Sequence, residues 1–272
     1  MALPTNQRAC CHASGLSSAE ASSTTSLEVR AAAEAQVFVE DPGAPELSPA
    51  DAHHLLRVLR VRPGERVIAA DGKGSWCECV FEGGSEPHSK NFLKACGTVQ
   101  FEPVGVPPIT VAFAPAKGDR PEWVVQKLTE LGVDRVILLV ADHSVVRWEA
   151  ERVLRSLERL RKVVSEAACQ SRRVWLPEVE APVTLDELAS LAGSPETTQP
   201  QACLAHPGGK PPSLSRAFLA VGPEGGWSER ELGLGFPTVS LGEHVLRAET
   251  ATVAAGALLG ALRSGTLAEV GP

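Results

Sequence analysis

Hydrophobic and polar positions divide the chain into three parts with different patterns. Residues 1–30 are rich in Ala, Ser and Thr without a helical or strand period, so we expect a disordered extension, or an upstream start that adds nothing to the fold. Between residues 31 and 104, short apolar stretches separated by Gly, Pro and Asp predict a small β-barrel domain. Between residues 107 and 266, strand and helix patterns alternate, which predicts an α/β domain with a mostly parallel sheet.

The first predicted helix has a capping signal at its start and a basic face. Ser48 is the expected N-cap, Pro49 occupies the first turn, and the helix is predicted to run to about residue 60. Its apolar face is expected to pack on the core, at Leu55, Leu56 and Leu59. Spacings of four and three residues place three cationic positions together on a different face, at His53, Arg57 and Arg60.

The larger domain has strand patterns at residues 109–114, 135–141, 202–205, 217–221 and 238–241. Helices are predicted at 119–131, 149–171 and 248–263. The helix at 149–171 carries an apolar stripe at helical spacing, at Val153, Leu157, Leu160, Val164 and Ala167. The Pro- and Gly-rich residues 104–108 mark the boundary between the two domains.

Composition and charge exclude several classes of protein. The 272 residues are 43% hydrophobic and 22% charged, as in globular chains, and no run of about 18 apolar residues predicts a membrane span. The seven cysteines form no C-x-x-C pair, so we expect reduced thiols and no metal site. The net charge of −7 argues against a nucleic-acid partner unless basic residues cluster locally.

A glycine-rich turn follows one of the predicted strands. Residues 219–221 are apolar, and Gly222-Pro223-Glu224-Gly225-Gly226 come directly after them. Glycine removes side-chain bulk and permits positive φ, so this turn can present bare backbone groups to a ligand at a strand end. It is neither a Walker loop nor a G-x-G-x-x-G motif. An ordinary tight turn is the alternative interpretation.

A second strand end, at residues 240–251, leads into the last predicted helix. Arg247 and Glu249 flank the helix start, near its unpaired N–H groups and partial positive charge. Simple capping by Glu249 and Thr250, with Arg247 as a solvated neighbour, is the alternative. The two strand-end loops together could form one pocket for an adenosyl group.

These motifs resemble those of the SPOUT methyltransferases, and more narrowly those of the family that methylates N3 of a uridine in small-subunit (16S) ribosomal RNA. The resemblance rests on residues 221–226, 241–242 and 246–251, with further matches at 53–60, 117–119, 126–133, 144–147 and 166–172. It extends over residues 36–263. The fold that it implies is a C-terminal α/β SPOUT domain with a trefoil knot, preceded by a PUA-like β-barrel, in a homodimer.

The resemblance also implies that S-adenosylmethionine is the methyl donor, held by three loops within the knot. The expected donor-binding residues are His206, Val221, Gly222, Pro223, Glu224, Gly225, Gly226, Ser240, Leu241, Gly242, Leu246, Thr250 and Ala251. Uridine N3 must lose a proton, and a nearby cation would favour the deprotonated base. Arg247 is therefore the candidate for that role or for orienting the base, and Glu249 is a weaker candidate for the general base.

Ribosomal RNA on the small subunit is the implied partner, and its phosphates need cationic contacts. The expected RNA-binding residues are His53, Arg57, Arg60, Lys117, Lys127 and Arg172. A solvated surface charge is the alternative for each of them. The ribosomal substrate, the unpaired cysteines and the lack of an export signal indicate a cytoplasmic enzyme without a membrane partner.

Two other functions remain open at this point. A SPOUT relative could act on transfer RNA or on a ribose 2′-hydroxyl, although the motifs at 53–60 and 126–132 disfavour this. An RNA-binding assembly factor without activity would predict an eroded donor pocket, whereas Gly222, Gly225, Gly226, Gly242 and Glu249 are all in place. A serine hydrolase has no G-x-S-x-G support.

Overall fold

The computed structural model describes residues 26–83, 92–115, 120–145, 150–192 and 201–269. These residues form two sheets, each with its own apolar core. The smaller sheet lies in the N-terminal part of the chain and the larger one in the C-terminal part, as the change of pattern near residue 104 predicts.

The N-terminal sheet has five strands: β1 (Ala35–Phe38), β2 (Arg66–Ala70), β3 (Ser75–Phe81), β4 (Leu93–Ala95) and β5 (Gln100–Phe101). β1 pairs parallel with β2, while β3 pairs antiparallel with β2, β4 and β5. Alternate apolar residues of β1, β2 and β3 point into one core, together with the helix that follows β1. Phe38, Ile68, Ala70 and Trp76 of the same strands belong to a second cluster.

That helix begins as predicted, but its second half differs. The Ser48 hydroxyl accepts a hydrogen bond from the Asp51 amide at 3.1 Å, which caps the helix Pro49–His53. The chain then widens into a π-helical turn, His54–Leu59, and ends at Arg60 in the left-handed conformation (φ 56°). This widening rotates the later side chains, so Leu55 is buried whereas Leu59 is 47% exposed. The prediction that Leu59 packs on the core is therefore wrong.

The C-terminal sheet has six strands, all paired in parallel. They are β6 (Thr110–Phe113), β7 (Arg135–Val140), β8 (Glu178–Thr184), β9 (Cys203–Lys210), β10 (Phe218–Val221) and β11 (Thr238–Val239). Their order across the sheet is β11-β9-β10-β6-β7-β8, which confirms the predicted parallel α/β domain. β6 and β10 are buried along their whole length, because both faces of the sheet are covered.

Helices cover the two faces of this sheet unequally. The helices Arg120–Glu130, Ala150–Ser171 and Ala248–Arg263 pack on one face, and the predicted stripe of the long helix lies in that core. The helix Leu185–Ala192 packs on the other face, beside Trp227 and Phe236. The sequence did not predict β8, this helix, or the short helix Glu229–Leu232.

β9 is longer than its sequence predicts. The strand runs on through Pro207 to Lys210, so His206 and Pro207 lie in a strand and not in a loop. β9 pairs with β10 only through Cys203 and Leu204, and its pairing with β11 changes register. Pro207 donates no backbone hydrogen bond, and the strand pattern of the sequence ends at residue 205.

Residues 26–30 differ from the predicted extension. Residues 26–31 form a helical turn, and Arg30 is only 3% exposed. Its Nη2 lies 2.6 Å from Glu102 Oε2, and its guanidinium lies 5.4 Å from the centre of the Trp76 ring. The buried Arg30 therefore holds this helical turn against the N-terminal sheet.

The stretch after the long helix joins the two sheets. Arg172 Nη2 donates to the carbonyl oxygens of Ala33 (2.7 Å) and Glu34 (3.2 Å). Trp175 Nε1 donates to the Glu102 carbonyl at 2.8 Å, and residues 174 and 176 form backbone hydrogen bonds with residues 74 and 72. These bonds fix the position of the N-terminal sheet on the C-terminal domain.

Asp134 ties together three element ends at the amino edge of the larger sheet. Its carboxylate accepts hydrogen bonds from the Ile109 amide (2.8 Å), from Arg173 (3.3 Å) and from Arg263. The three charged side chains are only 14–16% exposed. Burial, with the nearby Arg263, lowers the pKa of Arg173 to about 10.

Candidate functional site

A pocket of about 740 Å³ opens where β9, β10 and β11 approach their carboxyl ends. Three segments of the chain line it: residues 205–207 of β9, residues 221–227 at the end of β10, and residues 240–251 between β11 and the last helix. The carboxyl ends of parallel strands are the usual ligand site of open α/β sheets. The two predicted loops thus meet at one pocket.

Most of the predicted donor-binding residues line this pocket. They are His206, Val221, Gly222, Pro223, Glu224, Gly226, Ser240, Leu241, Gly242, Leu246 and Ala251. Gly225 and Thr250 are not among the lining residues. Arg247 lines the pocket, whereas Glu249 is half-buried in the first turn of the helix and does not line the pocket.

The pocket is also lined by residues outside the expected donor-binding set, namely Ala205, Pro207, Trp227, His244, Val245 and Ala248. Trp227 is the most informative of them. Its Nε1 donates to the Ala205 carbonyl at 3.0 Å, which connects two walls of the pocket. An aromatic residue directly after the glycine-rich turn was the signal that could have identified it.

The glycine-rich turn has two features that need glycine. The Gly226 amide donates to the Pro223 carbonyl at 2.9 Å, and Gly226 has a φ of 71°, which other residues rarely adopt. A Cβ on Gly222 would lie 3.0 Å from the Trp227 ring. The turn is thus held in one shape against Trp227.

The last segment of the pocket ends at the start of a helix. Ser240 Oγ donates to the Gly242 carbonyl at 3.0 Å. Arg247 is the N-cap of the helix Ala248–Arg263, in an extended conformation, and its side chain makes no capping hydrogen bond. Glu249 lies in the first turn, where a negative charge favours the helix dipole. The exposed Arg247 guanidinium is the cation that this segment places at the pocket.

An ionic cluster holds the segment that follows Trp227. Asp142, just after β7, accepts hydrogen bonds from Arg230 (2.8 and 3.0 Å) and from Ser228 Oγ (2.5 Å). Arg230 also contacts both carboxylate oxygens of Asp186, at 2.8 and 3.0 Å. The hydrogen bonds from Arg230 and then from Ser228 lower the pKa of Asp142 to about 2. The hydrogen bonds that Arg230 donates to Asp142 and Asp186 raise the pKa of Arg230 above its ordinary value.

The predicted RNA-binding residues of the first helix are all on the surface. His53, Arg57 and Arg60 are exposed, and Arg62 is exposed just beyond them. Arg60 takes up a left-handed conformation without being glycine. A backbone outlier of this kind is found more often at functional sites than elsewhere, so it draws attention to this face.

The remaining predicted RNA contacts differ from one another. Lys127 is about a third exposed, and its Nζ lies 2.9 Å from Glu130. Arg172 is partly buried, donates to three backbone carbonyls, and has a pKa lowered chiefly by burial. Its hydrogen bonds give Arg172 a structural task between the two domains. Lys117 lies outside the described residues.

Family models match both parts of the chain. An RNA methyltransferase domain matches residues 104–260, and an RNA methyltransferase PUA domain matches residues 47–88. The parallel α/β fold, the pocket at its strand ends and the small β domain therefore belong to an RNA methyltransferase.

Similar proteins narrow this class. Ribosomal RNA small subunit methyltransferase E of Synechocystis sp. is 33% identical over 227 residues, which covers 79% of this chain and 72% of that protein. The protein of the same name from Mycobacterium bovis is 31% identical over 225 residues, which covers 79% of this chain and 85% of that protein. The chain belongs to the ribosomal RNA small subunit methyltransferase E family.

A solved structure supports the same assignment. Ribosomal RNA small subunit methyltransferase E from Neisseria gonorrhoeae, crystallised with bound S-adenosyl methionine, matches with a TM-score of 0.66 at 27% identity. The match covers 85% of this chain and 97% of that chain. The fold expected from the sequence resemblance is thereby confirmed at the level of domain architecture.

Across the described ranges, no group of three or more His, Cys, Asp or Glu side chains is arranged to hold a metal ion. None of the helices in those ranges has the length and apolar character needed to cross a membrane.

Proposed function

We propose that this chain transfers the methyl group of S-adenosylmethionine to N3 of a uridine in small-subunit ribosomal RNA. The observation that carries the proposal is the pocket of about 740 Å³ at the ends of β9, β10 and β11. It collects residues from three separate segments, and they include most of the donor-binding residues that the resemblance to the uridine-N3 methyltransferases implies. Membership of the methyltransferase E family supports the same reaction.

The pocket fits an adenosyl donor in size and chemistry. Its volume lies within the range of about 300–1,000 Å³ that is usual for cofactor sites. Val221, Leu241, Leu246 and Trp227 provide apolar surface for a purine and a ribose. Glycines in the two loops leave backbone N–H and C=O groups uncovered, and these groups can orient the polar edges of the donor.

Arg247 is the proposed catalytic residue. S-adenosylmethionine, when bound, supplies a methyl group that is already activated on a sulfonium centre. Arg247 stands at the pocket with its guanidinium exposed, so it can contact the uracil ring and stabilise negative charge as N3 loses its proton. Glu249 is half-buried outside the lining, so we assign it the weaker role, as an acceptor for that proton.

The RNA is proposed to lie across the exposed cations of the first helix. His53, Arg57 and Arg60 face solvent on the N-terminal domain, and phosphate contacts from such residues fix the register of an RNA without reading its bases. Lys127 adds a charge on the C-terminal domain, although Glu130 already pairs with it. Because N3 is a base-pairing atom, the target uridine must be unpaired or flipped out.

The substrate is proposed to be the small ribosomal subunit rather than naked RNA, and the enzyme is proposed to act as a homodimer. Both follow from the family resemblance. A ribosomal substrate places the reaction with the ribosomes, in the cytoplasm.

The experiment is methyl transfer from labelled S-adenosylmethionine to small subunits that lack the modification, with the product nucleoside identified by mass spectrometry. We expect N3-methyluridine. Arg247→Ala should lower kcat by about 10²- to 10³-fold with the donor Kd changed little, and Arg247→Lys, which keeps the charge, should lose less. A donor that binds without transfer to the subunits would redirect the proposal to transfer RNA, and a wild-type protein that binds no donor would overturn it.

A further inference from the structure

We propose that His143 is a positioning residue of the donor pocket, acting through the glycine-rich turn from outside the pocket. This inference rests on the proposal that the pocket binds the methyl donor. His143 lies on the loop after β7, two residues beyond Ala141, and it does not line the pocket. Its imidazole nevertheless contacts two peptide groups of the glycine-rich turn, and that turn lines the pocket.

The contacts define which ring nitrogen carries the proton. His143 Nδ1 lies 3.1 Å from the Gly225 carbonyl oxygen and 3.1 Å from the Gly226 carbonyl oxygen. Both partners can only accept a hydrogen bond, so Nδ1 must be the donor, and one N–H is shared between them. This assigns the Nδ1–H tautomer, or the doubly protonated ring, and excludes the Nε2–H tautomer at this contact.

The two loops are in direct contact at this point. A Cβ on Gly225 would lie 2.9 Å from His143 Cβ, so only glycine permits the close approach. This explains why Gly225, a predicted donor-binding residue, is absent from the pocket lining: it faces His143 instead. On its other side the turn is closed by the hydrogen bond from the Gly226 amide to the Pro223 carbonyl.

His143 is itself held in place by its neighbour in the sequence. The Asp142 amide donates to Glu231 Oε1 at 2.9 Å, and the Asp142 carboxylate binds Ser228 and Arg230. Glu231 is fully buried and also caps the short helix Glu229–Leu232. The loop after β7 is thus fixed to residues 228–231, and His143 reaches back from this anchor to residues 225 and 226.

This arrangement has a consequence for donor affinity. A turn with glycines at 222, 225 and 226 has many accessible conformations, and ordering it on binding costs conformational entropy. Because His143 already directs two of its carbonyl groups outward, the turn keeps the shape of the pocket before the donor arrives. Preorganisation of this kind raises affinity without a direct contact.

The test compares two substitutions of nearly equal size. His143→Asn places an N–H donor close to the position of Nδ1, whereas His143→Asp places a carboxylate oxygen against two carbonyl oxygens. His143 is exposed, so neither change opens a cavity. We expect His143→Asp to raise the donor Kd about 10-fold, and His143→Asn to stay within about 3-fold of wild type, as measured by calorimetry with S-adenosylmethionine.

Further measurements separate positioning from stability. In steady-state assays on small subunits, His143→Asp should raise KM for the donor while kcat at saturating donor and KM for the RNA stay unchanged. Without donor, hydrogen exchange at the Gly226 amide should be faster in His143→Asp than in His143→Asn. Equal donor affinity and equal exchange in the two variants, with wild type binding normally, would overturn the inference. Failure of wild type to bind the donor would instead remove the proposed function.

Discussion

The contact between Gly222 and Trp227 allows a quantitative prediction for Gly222→Ala. A Cβ at position 222 would lie 3.0, 3.1 and 3.3 Å from three atoms of the Trp227 indole. Because the three atoms belong to one rigid ring, the contact cannot be relieved by moving one atom alone. The ring must move by a few tenths of an ångström, and its Nε1 then leaves the Ala205 carbonyl, now at 3.0 Å.

The magnitude follows from these two effects. Overpacking of this kind costs about 1–3 kcal/mol, and the strained or lost hydrogen bond falls within the usual ~0.5–1.5 kcal/mol. A total of about 3 kcal/mol should lower Tm by roughly 6–12 °C in a protein of this size. Both the indole and Ala205 line the pocket, so we also expect the S-adenosylmethionine Kd to rise about 10-fold, which corresponds to ~1.4 kcal/mol.

The assay is titration calorimetry with S-adenosylmethionine, alongside thermal unfolding with and without the donor. Gly97→Ala is the matched control, because a Cβ there would meet nothing within 4 Å, and it should leave both Kd and Tm unchanged. If Gly222→Ala binds the donor as tightly as the control variant and unfolds at the same temperature, the close approach to Trp227 does not shape the pocket and the reasoning is wrong.

Three further predictions concern charged groups. Asp134→Ala leaves two largely buried guanidinium groups without their carboxylate, so the free energy of unfolding in urea should fall by about 3–5 kcal/mol, whereas no loss would mean that water replaces the carboxylate. The pKa of Asp142 is lowered in the fold, so its ionised form stabilises the loop above its ordinary pKa of 3.8, and this is lost as pH falls through about 2. Its carboxyl resonance should titrate near 2 by NMR, and nearer 3.8 in Arg230→Ala; equal midpoints would contradict the assignment. Arg57→Ala should weaken RNA binding and reduce the slope of log K against log salt by about 1, and an unchanged slope would place Arg57 off the RNA.

Much of the fold could be predicted because its signals are local. The strand-helix alternation after residue 107 predicted a parallel sheet, and the Ser48 cap and the apolar stripe of the long helix are where the pattern places them. The pocket could also be predicted from the sequence, because two loops that follow apolar strands lie at the same edge of a parallel sheet. Adjacency of strand ends is a consequence of topology that sequence patterns capture well.

The errors arise where distant contacts outweigh local preference. β9 continues through Pro207 because β11 pairs with its last residue, Lys210. The local sequence of β9 does not predict this pairing. Leu59 is exposed because the π-helical turn has more residues per turn than an α-helix. The side chain of Leu59 therefore points in a different direction from the one that the α-helical spacing predicts. Arg172 looked like a surface cation, but its partners, Ala33 and Glu34, lie about 140 residues earlier in the sequence and are visible only in the fold.

His143 shows the same limit at the functional site. Its position next to the motif at residues 144–147 gave no reason to connect it with a turn more than eighty residues later. Only the side-by-side placement of loops at the carboxyl edge of the sheet brings it against Gly225. Residues that position a site from outside it are hard to predict, because no sequence motif marks them and only their contacts in the fold identify them.

The net charge of −7 does not conflict with an RNA substrate, because charge is unevenly distributed on the N-terminal domain. A second groove on this domain is lined by acidic side chains, at Glu40, Asp41, Glu46, Asp51 and Asp71. The exposed face of His53, Arg57 and Arg60 begins two residues after Asp51, and its guanidinium charges are those of Arg57 and Arg60. Phosphates respond to the potential within a Debye length of about 8–10 Å, so the net charge of the whole chain does not decide binding. We expect the acidic groove to repel phosphates and an RNA to favour the face that carries Arg57 and Arg60.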